Sequence, residues 1–98
     1  MSAIVIRQKH GLAHHEVRAR AESLARRIEQ RLSVSWAWHG DEMTLTAPPG
    51  PARGATGKVR VAPDEVQVEV RLPLALSPIR RLVEGKLRQK IDDVLLAR

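Results

Sequence analysis

Two stripes of apolar residues at helical spacing bracket a run of short alternating strands, and few folds let a chain with that order bury both. From about Ala13 to Leu32, the residues Val17, Ala21, Leu24, Ala25, Ile28 and Leu32 recur at three- and four-residue steps on one helical face. The second stripe, Ile79, Val83, Leu87, Ile91 and Val94, runs close to the C-terminus, with Leu82, Leu95 and Leu96 beside it or away from it. Ser77 followed by Pro78 predicts where this helix begins, because the hydroxyl can accept an orphan amide and proline suits the first helical position. Leu87 and Ile91, in the middle of the stripe, are expected in the core. The first helix starts less well: Ala13 stands three residues before Glu16, where Ser or Thr would complete a capping box, so fraying is expected there.

Five segments alternate with the period of a strand. Ile4 and Ile6 alternate with Val5 and Arg7 until His10-Gly11. Val34, Trp36 and Trp38 share one parity, and His39-Gly40-Asp41-Glu42 reads as a tight reversal into Met43 and Leu45. The stretch 47–54, rich in proline and glycine, must be a loop, because proline cannot donate to a ladder, and it is expected to be the most mobile part of the chain. Gly57, Val59 and Val61 follow, then a turn at 62–65, then Val66, Val68, Val70 and Leu72. The order β-α-β-β-β-β-α predicts an α+β fold: an antiparallel sheet with one wet face and both helices on its apolar face, as in the TATA-binding-protein-like or helix-grip class. One domain over residues 1–98 is expected, since a chain of this length supports a single core.

Composition sets what that core is made of. The chain is 43% hydrophobic yet has no Phe, Tyr or Cys. Packing is therefore aliphatic, with Trp36 and Trp38 expected to join it, and neither disulfides nor thiolate chemistry is available. The opening MSAIVIRQKHG has too short an apolar start for a signal peptide, and no run approaches bilayer length, so a cytoplasmic protein is expected. The net charge of +6 favours anionic partners without choosing among them.

Candidate sites are few. His10, His14 and His15 cluster beside Glu16, but Gly11 spoils a shared helical face, and exposed histidines at a helix entry are the simpler account; no metal or other cofactor is expected. Asp41 with Glu42, Asp64 with Glu65, and Asp92 with Asp93 are adjacent rather than convergent, so no catalytic set stands out and no enzyme activity is expected. Arg20, Arg27, Arg31, Arg53, Lys58, Arg60, Lys86 and Lys90 are candidates for contact with an anionic surface. Pairs at i,i+4, Glu16 with Arg20, Glu22 with Arg26 and Glu84 with Arg88, make a solvated helix face the explanation for most of the charge. Leu74, Leu76, Leu82 and Leu96 are candidates for an apolar partner or a homodimer contact.

The opening Ile4-x-Ile6 with His10 and Leu12, the Trp38-x-Gly40-Asp41 turn, the Gly57 strand and the Leu72-to-Pro78 entry into the last helix resemble, in combination, the small bacterial polyhydroxyalkanoic acid system protein family over nearly the whole chain. Ala13, where Ser or Thr is usual, and the expanded proline-rich loop at 48–51 depart from it. The resemblance implies association with polyhydroxyalkanoate storage and brings no established catalytic residues. The leading expectation is an accessory protein that contacts a storage granule, its surface layer or a granule protein. The alternatives are nucleic-acid binding through the basic residues, for which only two aromatic side chains are available to stack bases, and a small apolar ligand held between the last helix and the sheet, with a filled core preferred to the latter.

Overall fold

The structure, a computed structural model, describes residues 2–49 and 54–96. Its elements follow the expected order: β1 (Ser2–Lys9), α1 (His14–Leu32), β2 (Ser35–His39), β3 (Glu42–Thr46), β4 (Thr56–Val61), β5 (Glu65–Leu72), a 3-10 helix (Leu74–Ile79) and α2 (Arg80–Leu96). The strands form one antiparallel sheet in the order β1-β5-β4-β3-β2. β2 to β5 are thus a meander, and β1 returns to pair with the last strand of it, Ile4 opposite Val70 and Ile6 opposite Val68.

Register places the strand residues on two unlike faces, because directly paired residues share a face and neighbours in sequence do not. Trp36, Leu45, Gly57, Val70 and Ile4 form one apolar row across the sheet, and Trp38, Met43, Val59, Val68 and Ile6 the next. The opposite face carries Thr44, Lys58 and Glu69 in one row and Glu42, Arg60, Gln67 and Arg7 in another, where Arg60 Nη2 lies 3.1 Å from Glu42 Oε2.

Both helices contribute to burial of the apolar face. Ile4, Ile6, Val17, Val61, Val66, Val68, Leu72, Ile91 and Leu95 form the contiguous core; Ala25 and Met43 are buried apart from it. Leu95, read from the sequence as lying off the main stripe, belongs to this core. Leu87 is only half-buried and packs against it, while Ile91 is fully buried. The α1 stripe is likewise graded, from a fully buried Val17 to Leu32 at 64% exposure.

Local chemistry explains the element ends. Ala13 caps α1 with no side-chain hydrogen bond, as its sequence position requires, and Ser33 closes the helix in the left-handed conformation, its N–H donating to the Glu29 carbonyl at 2.8 Å. Ser77-Pro78 does not mark the start of α2. Pro73 precedes a 3-10 helix that contains both residues and runs directly into α2 at Arg80. Pro78 lies in the last turn of the 3-10 helix, two residues before α2 begins, so the helical run starts a few residues earlier than Ser77-Pro78 indicates. The 47–54 loop is bridged at its base by Ala47 N–H donating to the Ala55 carbonyl; the expected mobility falls largely on residues outside those described.

Neither tryptophan is fully buried. β2 is an edge strand, and α1 covers it with a polar row instead of an apolar one: the Arg18 guanidinium sits 4.1 Å from the Trp38 ring centroid and Arg26 5.5 Å from that of Trp36. Between them, Glu22 accepts from Trp38 Nε1 at 3.1 Å and from Arg26 at 3.2 Å. The Arg26 and Trp38 hydrogen bonds hold the Glu22 carboxyl below its ordinary pKa. The Trp36 indole nitrogen is buried without a hydrogen-bond partner among the described residues.

His10 is a structural joint, not an exposed helix-entry residue. Its Nδ1 accepts from the Leu12 N–H at 3.3 Å, which leaves Nε2 to donate to the Ala62 carbonyl at 3.1 Å. A second clamp joins the first turns of α1 to the β2–β3 turn, where Gly40, at φ +63, occupies the first position of a two-residue hairpin loop that favours glycine. Arg18 donates to the Gly40 carbonyl at 2.6 Å and to Asp41 Oδ1 at 3.0 Å, and His14 Nε2 lies 2.8 Å from the same oxygen. The His14 hydrogen bond first, and Arg18 with it, holds the Asp41 carboxyl below its usual value of 3.8.

Two outcomes follow for stability. Ile91→Ala should lower the free energy of unfolding by about 2–5 kcal/mol in urea titrations, and Leu87→Ala, at a half-buried site, by less. Folding lowers the Asp41 pKa, so the clamp's contribution is complete above the usual value of 3.8 and is lost as pH falls through the lower folded value. Asp41→Asn should therefore be less stable than wild type at neutral pH, with the gap closing in strong acid. An undiminished gap at about pH 2 would show that this carboxylate does not stabilise the clamp through its charge.

Candidate functional site

The two helices meet at one end and leave a cleft between them along the rest. At the closed end Arg20 donates from Nη1 to the Val94 carbonyl at 2.8 Å and from Nη2 to Glu16 at 2.9 Å, which ties α1 to the last turns of α2. Val17 and Ile91 are buried there. From this joint, where Val17, Ile91 and Val94 are among its lining residues, a cleft of about 610 Å³ runs on between the helices and the sheet, within the range of small-molecule sites. Its floor is the apolar face of β3, β4 and β5, including Leu45, Gly57 and Val70; Ala21, Leu24 and Ile28 of α1 and Leu87 and Val94 of α2 form the sides. The expectation of a filled core thus fails along this line. The side chains on either side do not reach across the gap, and the floor has glycine where the sheet row would otherwise carry a side chain.

Five of the candidate cations are among the residues lining the cleft, four of them from the helices. Arg27 and Arg31 come from α1, Lys86 and Lys90 from α2, all four are exposed, and no aspartate or glutamate is among the lining residues. None of the four forms an ion pair with a described residue. The fifth, Lys58, touches the same cleft from β4, although its place in the sheet register is on the opposite face. The other candidates are elsewhere: Arg20 is engaged at the helix joint, Arg60 is paired with Glu42 on the opposite face of the sheet, and Arg53 lies outside the described residues. The eight basic positions therefore do not make one surface.

The apolar candidates also divide. Leu74 and Leu82 stand 76% and 60% exposed, with Ile79 between them in sequence at 44%. Leu76 instead packs against the core, and the Leu96 side chain lies outside the described residues. Ile79 was assigned from its spacing to the buried stripe; its exposure follows from its place at the end of the 3-10 helix, whose three-residue turn rotates it away from the face that α2 buries. Beside these residues Arg80 donates to the Ala3 carbonyl at 2.9 Å, tying α2 to the edge strand β1.

Sequence periodicity missed the cleft, although Gly57 in a valine-rich strand was its one visible trace. Among the described residues no group of three or more His, Cys, Asp or Glu side chains is placed to hold a metal ion, and no helix is long and apolar enough to cross a membrane.

Comparison with known proteins adds the family. No curated protein and no solved structure matches the chain. The model of one family, described as "Putative polyhydroxyalkanoic acid system protein", matches residues 4–95, which takes in the whole fold except the first two residues of β1 and the last of α2. The chain therefore belongs to the polyhydroxyalkanoic acid system protein family.

Proposed function

We propose that this protein is a cytoplasmic, non-enzymatic accessory of polyhydroxyalkanoate storage that docks on the granule surface through the aliphatic residues at the start of α2. The observation that carries this is the exposure of Leu74, Ile79 and Leu82 in one short stretch next to Arg80 and Arg81. A polyester particle is apolar, and each such side chain gains up to roughly 1.5–3 kcal/mol when fully withdrawn from water. The neighbouring cations suit the anionic components of a particle's surface layer.

A non-enzymatic role is supported by the work the ionisable groups already do in the fold. His14 and Asp41 hold the hairpin clamp, while Glu16, Glu22, Glu42, Glu69 and Glu84 each stand beside an arginine. Nucleic-acid binding draws less support, because the candidate cations are split between the cleft and the opposite sheet face.

In polymer-accumulating cells a fluorescent fusion of the wild-type chain should concentrate at granules. The Leu74→Ser, Ile79→Ser, Leu82→Ser triple variant should spread through the cell while keeping wild-type circular dichroism, since the three residues are substantially exposed. Diffuse wild-type fluorescence, or undiminished enrichment of the triple variant, would overturn docking by this surface.

A further inference from the structure

We infer that the cleft between α1 and α2 binds one linear alkanoic carboxylate, its hydrocarbon tail lying over Gly57 and its carboxylate held by Arg27, Arg31, Lys86 and Lys90. The shape and the charge of the cleft each point to such a molecule.

Gly57 supplies the first observation. It lies inside β4, paired with Leu45 and Val70, and its φ is not positive. A Cβ built there would meet Leu45 Cβ and Cδ1 at 3.7 Å and the Glu69 carbonyl oxygen at 3.8 Å, which is ordinary contact. Neither backbone conformation nor crowding by the protein's own atoms demands glycine, and glycine inside a strand weakens it. What it leaves is open volume over the middle of the sheet, at the floor of the cleft. Ala21 on α1 keeps the side of the cleft low as well.

Charge supplies the second. Four cations from two helices stand at a cleft whose other lining side chains are almost all aliphatic, and no acidic side chain lines it. A purely apolar occupant would leave these charges unused, and a cationic one would be repelled. An amphiphile with a single negative end satisfies both parts, because its tail leaves water while its carboxylate stays at the rim, where arginine and lysine can donate to it. Free fatty acids and hydroxyalkanoate monomers share this chemistry. The 3-hydroxyl of the latter lies close to the carboxylate and stays at the mouth with it, so the aliphatic walls bury no unpaired hydroxyl. Leu74, Ile79 and Leu82 do not line the cleft, so this inference goes beyond granule docking, and the two can fail separately.

The test is calorimetric titration of the purified full chain with octanoate, decanoate and dodecanoate below their micellar concentrations, beside 3-hydroxydecanoate and the uncharged 1-octanol. One carboxylate should bind per chain, tightening roughly fourfold per added methylene, and octanoate should bind at least tenfold more tightly than 1-octanol at low salt. The tighter of decanoate and 3-hydroxydecanoate identifies the source as fatty acid or polyester monomer, and either result supports the site. Gly57→Val should weaken decanoate at least tenfold without lowering the melting temperature, because its side chain fills the floor. Arg27→Gln with Lys90→Gln, both at exposed positions, should weaken octanoate and leave 1-octanol unchanged. Failure of millimolar decanoate to bind, equal affinity for octanoate and 1-octanol, or full binding by Gly57→Val would overturn the inference. So would nuclear Overhauser contacts placing the 47–54 loop or a second copy of the chain in the cleft.

Discussion

The interior of this protein is built from aliphatic side chains of modest length, and the rest of the structure depends on how far they can reach. With no Phe or Tyr in the chain, the space between sheet and helices is closed only where several branched side chains converge, around Ile4, Ile6, Val17, Val68 and Ile91. Dispersion and hydrophobic gain both require close contact. Where the row across the sheet passes through Gly57, the floor has no side chain to offer the helices. Burial is therefore concentrated toward β1, β5 and the last turns of α2, and the helices part beyond the Arg20 hydrogen bond to Val94.

The elements were legible because period-two and helical spacing report directly on which residues face the core. Gly40 located the hairpin turn for a backbone reason, and Ala13 showed the missing cap. What periodicity could not supply was the depth of burial along a stripe. Leu24, Ile28 and Leu87 share their faces with Val17, Ala25 and Ile91, yet they are only half-buried at the cleft, since that outcome depends on the separation of helices distant in sequence. The tryptophans illustrate the same limit. Parity placed them on the helix-facing side, but strand order made β2 an edge, and the residues of α1 above it are Arg18, Glu22 and Arg26.

Of the proposed contact surfaces, the sequence indicated the residue types more clearly than their grouping. Leu74 and Leu82 were recognisable as surplus to the second stripe, and their exposure bears that out, whereas Leu76 turns inward from the 3-10 helix between them. Arg27, Arg31, Lys86 and Lys90 were recognisable as flanking cations. That they face one cleft from two helices, while Arg60 lies beneath the sheet, is a consequence of tertiary geometry alone.

The pairing of β1 with β5 has a kinetic consequence. The hairpins from β2 to β5 join neighbours in sequence, whereas Ser2 opposite Leu72 closes a loop containing α1 and the rest of the sheet. Contacts of such separation carry the largest closure entropy and are gained late. On a ribosome β1 emerges before the meander and waits for its partner until β5 has been made, so Ile4 and Ile6, fully enclosed in the finished molecule, stay exposed while the rest of the sheet is synthesised. The order of strands thus makes the earliest strand of this fold among the last to be protected, and gives chaperones their longest opportunity at β1.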